Sequence, residues 1–331
     1  MVRGYRVVFK APGVVEVESF DIMPPSRDQV LIRNILSLIS PGTEIAFLMA
    51  LPNTPRKFPM YPGYSSVGII EEVGEGVKDL EKGDLVVATA PHASHVIAHV
   101  NNVYKVPEGV STKDAVFFTL SCIALQGVRK AKIELGESVA IIGEGIVGQL
   151  ATQLARLNGA IPVIGLDLYD FRLKIARELG ADVVLNPRKN DFMRKFLEAT
   201  DGEGAKVVIE ATGSPQAINL ALKLASRRGR VVLLGSTRGE STVNFYSDVH
   251  KKGLIIIGAH NSIRPRYESS EAYWTFKDDL KVVFRLLKSK RLRVRELLSD
   301  IVPFTEAPEV YRRLREEKEK YITIALDWRK A

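Results

Sequence analysis

Cysteine is nearly missing: Cys122 is the single one in 331 residues. One thiol cannot form an internal disulfide or supply a four-thiolate structural zinc site, and it reads as a small buried apolar residue. Long apolar runs are missing too. None reaches the ~18–20 residues of a membrane span, so no membrane partner is expected. The opening residues, MVRGYRVVFKAPG, lack the apolar core of a signal peptide, and the expectation is a cytoplasmic protein. There is no internal repeat and no low-complexity segment. Blocks of one charge are scarce. The formal charge is +8, yet cations alternate with acids, as in RRLREEKEK (312–320), and the one locally basic piece runs from Lys288 to Arg295. That pattern is a solvated surface rather than a polyanion site, and no nucleic-acid partner is expected.

What is present is a soluble globular balance, with 46% hydrophobic and 26% charged residues. The length allows two domains with cores of their own. Abundant Lys, Arg and Glu suits a heat-tolerant protein. Residues 1–110 are short β-like runs (YRVVFK, VVEVESF, VLIRNI, SVGIIEEVG, DLVVATA, SHVIAHV) punctuated by Pro and Gly. The pattern turns helical over 111–131. From 138 onward, apolar strands (SVAIIG, IPVIGLD, DVVLNP, AKVVIEATG, GRVVLLGS, GLIIIGA) mostly alternate with helical segments, to about residue 269. That texture predicts an α/β unit, a doubly wound parallel sheet covered on both faces. The tail carries helices near 277–289 and 305–317 and a lone strand, YITIALD. That strand is expected to pair with the N-terminal β unit, so the expected organisation is 1–120, completed by 270–331, and 121–269.

The parallel sheet opens with VAIIGEGIVGQLATQLA. Gly143, Gly145 and Gly148 give G-x-G-x-x-G between a strand and a helix, and Asp167 ends the next strand 19 residues after Gly148. In such a turn Gly143 permits the bend, Gly145 admits a pyrophosphate to the backbone, and Gly148 lets helix and strand pack closely. The phosphates sit on the helix N-terminus, at Ile146 and Val147, where free N–H groups favour anions. Asp167 accepts hydrogen bonds from the adenosine ribose and repels a 2′-phosphate. The expected cofactor is therefore NAD, with NADP possible because Arg172 stands nearby.

The order of these parts resembles the medium-chain dehydrogenase/reductase (alcohol dehydrogenase) superfamily over nearly the whole length. It runs PGY–VGIIEEVGEGV, GDLVV, NNVYKVPEGV, the nucleotide fold, EATG, LLGS and IIIGA. SLISPGTE (37–44) and PHASHV (91–96) look most like a zinc-poor branch that includes bacteriochlorophyllide dehydrogenase-like proteins. The resemblance implies a GroES-like catalytic domain and a Rossmann domain with the active site in the cleft between them. It implies hydride transfer between a nicotinamide cofactor and an alcohol or carbonyl substrate. It also implies a homodimer or homotetramer, built by pairing edge strands near Leu254–Gly258. By position, Ala211, Thr212 and Gly213 match the segment passing beside the cofactor. Gly235, Ser236, Gly258 and Ala259 match strand ends near the nicotinamide, and Arg172 matches a basic residue close to the ribose.

Zinc members of that superfamily carry their metal ligands where this chain has Pro41, Tyr64, Ser65 and Thr119. These are poor zinc donors, so zinc is not expected. His92, His95 and His99 offer no substitute together: on a strand His95 and His99 lie about 13 Å apart. A site using His92, Cys122 and a third residue is the remaining metal reading. Without zinc, three residues are the candidate catalytic groups. Thr43 matches the hydroxyl that binds the substrate oxygen, Tyr64 stands at the vacated metal position, and His92 follows the turn after GDLVV as an acid or base. The alternatives are a quinone or enone reductase, a zinc enzyme with unusual ligands, and a nucleotide-binding relative without turnover. Arg264 and Arg266 read as solvated, with contact to an anionic substrate as the other reading.

Overall fold

A computed structural model describes residues 3–270 and 273–331. The chain forms two compact units. One comprises Met1–Thr119, Phe284–Lys290 and Val294–Ala331; the other comprises Leu120–Val283 and Arg291–Arg293.

The first unit opens with an antiparallel pair, β1 (Arg3–Ala11) and β2 (Val14–Asp21). There follow β3 (Gln29–Leu38), helix α1 (Pro41–Leu48), β4 (Ser66–Val73), β5 (Leu85–Ala88), β6 (His95–His99), β7 (Val103–Lys105) and the short helix α2 (Thr112–Ala115). Helix α3 (Phe118–Ala131) then leads into the second unit. The helical stretch expected over 111–131 is thus two helices, with Val116 and Phe117 between them.

The second unit is β8 (Val139–Ile142), α4 (Ile146–Leu157), β9 (Val163–Leu166), α5 (Asp170–Glu178), β10 (Val183–Leu185), α6 (Phe192–Glu198), β11 (Ala205–Glu210), α7 (Pro215–Leu224), β12 (Ala225–Leu233) and β13 (Ile255–Gly258). These strands form one parallel sheet in the order β10-β9-β8-β11-β12-β13. Every residue of β8 and β9 is buried, because helices pack on both faces of such a sheet. The winding reverses at β8, which has β9 on one side and β11 on the other. In open parallel sheets the crevice beyond the strand C-termini at such a reversal is where ligands bind.

Helix α8 (Phe276–Lys288), β14 (Leu298–Pro303), α9 (Ala307–Glu316) and β15 (Thr323–Asp327) complete the described chain. The N-terminal sheet has the order β14-β15-β3-β4-β5-β7, with β6 also on β3. The expected tail strand therefore lies between β14 and β3, parallel to the first and antiparallel to the second. An aromatic cluster closes this core: Phe9 meets Tyr311 edge-on at 5.0 Å, and Phe304 stacks on Trp328 at 4.9 Å. Such pairs add ~0.5–1.5 kcal/mol each beyond their area.

Candidate functional site

The turn from β8 to α4 is shaped by close approaches. Gly143 has φ +93°, and a Cβ there would lie 2.4 Å from Thr212 Cγ2. The turns after β8 and β11 therefore touch. A Cβ on Gly148 would stand 1.8 Å from the Gly143 carbonyl oxygen, so only glycine lets α4 start this close to the turn. Above Gly145 the space is open: a Cβ there meets only Arg172 Nη1, at 3.9 Å. Gly145 is the N-cap of α4, Ile146 is buried and Val147 half-buried. An open approach onto the first turn of a twelve-residue helix suits a pyrophosphate.

Asp167 is fixed just beyond β9. Its Oδ2 accepts the Glu144 N–H at 2.8 Å and its Oδ1 accepts the Tyr169 N–H at 3.0 Å. Arg172 Nη1 lies 3.9 Å from Oδ2, and the guanidinium faces the Tyr169 ring. Across the switch point Glu210, buried at the end of β11, holds the next turn. Its carboxyl accepts the N–H of Thr212 at 2.7 Å, that of Gly213 at 3.1 Å and the Thr212 hydroxyl. Burial pushes this carboxyl up, and those bonds oppose it. The Ala211 N–H reaches the Ile142 carbonyl at 2.9 Å, a Cβ on Gly213 would stand 2.5 Å from Ser236 O, and a Cβ on Gly235 would stand 2.3 Å from Gly213 N. Ala259 N–H bonds Leu233 O at 3.1 Å, beside an open Gly258. The residues expected to hold a dinucleotide thus lie at the C-terminal edge of one sheet, around its reversal.

The first unit gives a different result for its three candidates. Thr43 is half-buried in the first turn of α1. Tyr64 is half-buried, in the segment that precedes β4. His92 is not a turn residue facing a pocket. It is fully buried, with Nδ1 2.7 Å from Ser37 Oγ and Nε2 2.9 Å from Glu44 Oε2. One assignment leaves no polar atom over. The Trp328 indole donates to Ser37 Oγ at 2.8 Å, Ser37 O–H donates to Nδ1, and Nε2–H donates to Glu44. The Glu44 carboxyl also accepts Ser40 N–H at 2.7 Å and the Tyr311 hydroxyl. Burial, with Glu44 beside it, pushes the Tyr311 phenol well up. With both ring nitrogens taken, His92 holds α1 to β3 and to the tail instead of serving as a free acid or base. Sequence reasoning missed Glu44. Its signal was a Ser-Pro helix start followed by an acid able to reach back to the first N–H.

The residues do not fit zinc. Pro41 has no donor atom, Ser65 Oγ donates to Val116 O at 2.7 Å, and Thr119 Oγ1 donates to Tyr64 O at 2.9 Å. Burial pushes the Cys122 thiol far above its ordinary range. Among the described residues no three His, Cys, Asp or Glu converge on one point. The Arg264 side chain is not solvated either: it is 6% exposed, ion-paired with Asp279 and bonded to Cys122 O at 2.5 Å.

Comparison with known proteins agrees with this architecture. The family described as "Alcohol dehydrogenase GroES-like domain" matches residues 26–123, and "Zinc-binding dehydrogenase" matches 147–273. D-guloside 3-dehydrogenase of Shigella flexneri is 32% identical over 75% of this chain and 72% of its own length. The chain belongs to the medium-chain dehydrogenase/reductase superfamily. Members of that superfamily similar to it include L-threonine 3-dehydrogenase of Pyrococcus horikoshii, 28% identical over 75% of this chain and 80% of that relative. A structure described as a short chain alcohol dehydrogenase from E. coli CFT073, complexed with NADH, shares the fold. Its TM-score is 0.84 at 20% identity, covering 99% of this chain and 100% of that one. The chain is thus an alcohol dehydrogenase-like oxidoreductase. No helix among the described residues is long and apolar enough to cross a membrane.

Proposed function

We propose that this superfamily member is an NAD-dependent dehydrogenase of polar secondary alcohols and their ketones that works without bound zinc. The observation that carries the nicotinamide reading is the cradle at the sheet reversal: an open Gly145, a free helix start, and Asp167 held by two N–H bonds. A fixed carboxyl at the ribose position favours NAD, and Arg172 leaves NADP as the weaker cofactor. A nicotinamide cofactor held there would supply the hydride chemistry. Ala211 to Gly213, Gly235, Ser236, Gly258 and Ala259 line its place. The names of the two relatives put the oxidised hydroxyl on carbon 3 of a polar molecule, which supports the substrate class.

The zinc-free part rests on the donor set. Pro41, Tyr64, Ser65 and Thr119 replace the ligands, and two of those hydroxyls are spent on main-chain carbonyls. Tyr64 and Thr43 are then the hydroxyl donors for the substrate oxygen, and preplaced donors are what developing negative charge requires. His92 acts at one remove, by fixing α1, which carries Thr43. A homo-oligomer formed through β13 completes the reading: Ile255 and Ile256 on that edge strand are 56% and 40% exposed.

The test is elemental analysis of protein purified without added metal or chelator, joined to NADH and NADPH fluorescence titrations. Near-zero zinc with tighter NADH binding is expected. One zinc per chain overturns the zinc-free reading, and failure to bind either nucleotide overturns the cofactor reading.

A further inference from the structure

Glu144 lies between the first two glycines of the cofactor turn, and its side chain is fully buried. The carboxyl points beneath the turn, into the layer between sheet and helix. Its Oε1 accepts the Thr152 hydroxyl at 2.7 Å. A Cβ on Gly165 would stand 2.7 Å from Oε1, and one on Gly148 would stand 3.6 Å from Oε2. Oε2 has no hydrogen-bond partner among the described residues, and neither do Gln149 Oε1 and Arg172 Nε. Gln149 spends its amide on the main-chain carbonyls of Glu144, at 3.2 Å, and Arg172, at 2.8 Å.

A buried carboxyl with one hydrogen bond is poorly solvated as an anion. The charged groups around it are few. Asp167 faces it from the end of β9, Arg172 stands on α5, α4 offers the uncharged Thr152 and Gln149, and β9 offers Gly165. Burial pushes Glu144 up to about 8; the Thr152 bond opposes this and Asp167 adds to it. The same residue's main chain steadies the cofactor acid, since the Glu144 N–H donates to Asp167 Oδ2 at 2.8 Å.

We propose that Glu144 is a positioning residue for the dinucleotide: protonated, it seats the turn and Asp167, and ionised, it draws toward solvent, unseats both and releases the cofactor. This rests on the nicotinamide reading. Binding restricted to the protonated form makes the NADH dissociation constant rise about tenfold per pH unit above the midpoint. The sign in the apo protein follows from the raised carboxyl. Its stabilising contribution is complete below the unfolded value of 4.5 and is lost as pH rises through about 8.

The experiment titrates wild type, Glu144→Gln and Thr152→Val with NADH from pH 6.5 to 9.5, and unfolds the same apo proteins in urea across pH 5 to 8. Wild type is expected to weaken about tenfold per unit above the midpoint, and Glu144→Gln to stay flat. Thr152→Val, which keeps the acid but removes its one hydrogen bond, is expected to move the midpoint up. It serves where the Gln variant does not fold. Equal pH profiles for wild type and Glu144→Gln, or an unmoved midpoint in Thr152→Val, overturn the proposal. If no protein binds NADH at any pH, the cofactor reading falls and takes the positioning role with it. The apo unfolding slope then still reports whether Glu144 titrates in the fold.

Discussion

Replacing Glu44 by alanine isolates the buried network that the first unit builds around α1. The Glu44 carboxyl accepts from Ser40 N–H, His92 Nε2–H and Tyr311 O–H, and every one of these side chains is buried. Truncation orphans three donors at once. Each unsatisfied buried donor costs ~1–3 kcal/mol, and water entering the cavity returns part of that. A net loss of about 4 kcal/mol is expected, the sum for three orphaned donors less the part that water returns. For a unit of this size that is a fall in Tm of about 10 °C. Trp328 bonds Ser37 in the same network, and the chain has two tryptophans. In a Trp274→Phe background its fluorescence therefore reports the network alone. Glu44→Gln keeps the volume but has a single oxygen for three donors, and is expected to lose about half as much. A double-mutant cycle of Glu44 with His92 is expected to show coupling above ~1 kcal/mol. A Glu44→Ala loss below ~1 kcal/mol, with additive double mutants, refutes the network as a support of α1.

Four further outcomes follow from the geometry. Asp167→Ser removes the carboxyl at the ribose position and is expected to weaken NADH at least tenfold while improving NADPH, read by fluorescence titration. Tyr64→Phe is expected to lower kcat by ~10²-fold or more with little change in NADH affinity; unchanged turnover removes Tyr64 from the substrate contacts. Asp279→Ala strips the buried partner of Arg264 and of Arg129, whose Nε lies 2.8 Å away. The expected cost is ~3–5 kcal/mol by urea unfolding. Ile256→Asp places charge on the exposed edge of β13 and is expected to yield monomers by analytical ultracentrifugation.

The parallel sheet was legible because its strands, VAII and VIGL above all, are short apolar runs set between helical segments, as burial on both faces requires. The glycine turn after β8 was legible because its glycines answer to local close approaches, such as Gly148 against Gly143 O. His92 was misread for the opposite reason. Its partners Ser37 and Glu44 lie 55 and 48 residues away, and Tyr311 bonds Glu44 across 267. Nothing local marks a turn histidine as sealed. Arg264 was misread in the same way, since its burial depends on Asp279 and on the Cys122 carbonyl, 142 residues distant. Glu144 escaped notice because an acid in a glycine turn ordinarily faces water, and only the neighbouring Gly148 and Gly165 leave room for it underneath.

The place of β15 has a consequence for biosynthesis. Residues Ala325–Asp327 pair with Leu36–Leu38 of β3, so a strand made early waits for one made much later. Until Thr323–Asp327 leaves the ribosome, that edge of β3 and the cluster around Phe9 and Ile39 lack Ile324, Leu326 and Trp328. The Leu120–Val283 sheet needs only Arg291–Arg293 from further on and can close earlier. During synthesis the nascent chain therefore carries a finished nucleotide fold behind an unfinished, sticky N-terminal sheet. Exposure of that sheet to chaperones and proteases lasts until β15 has emerged.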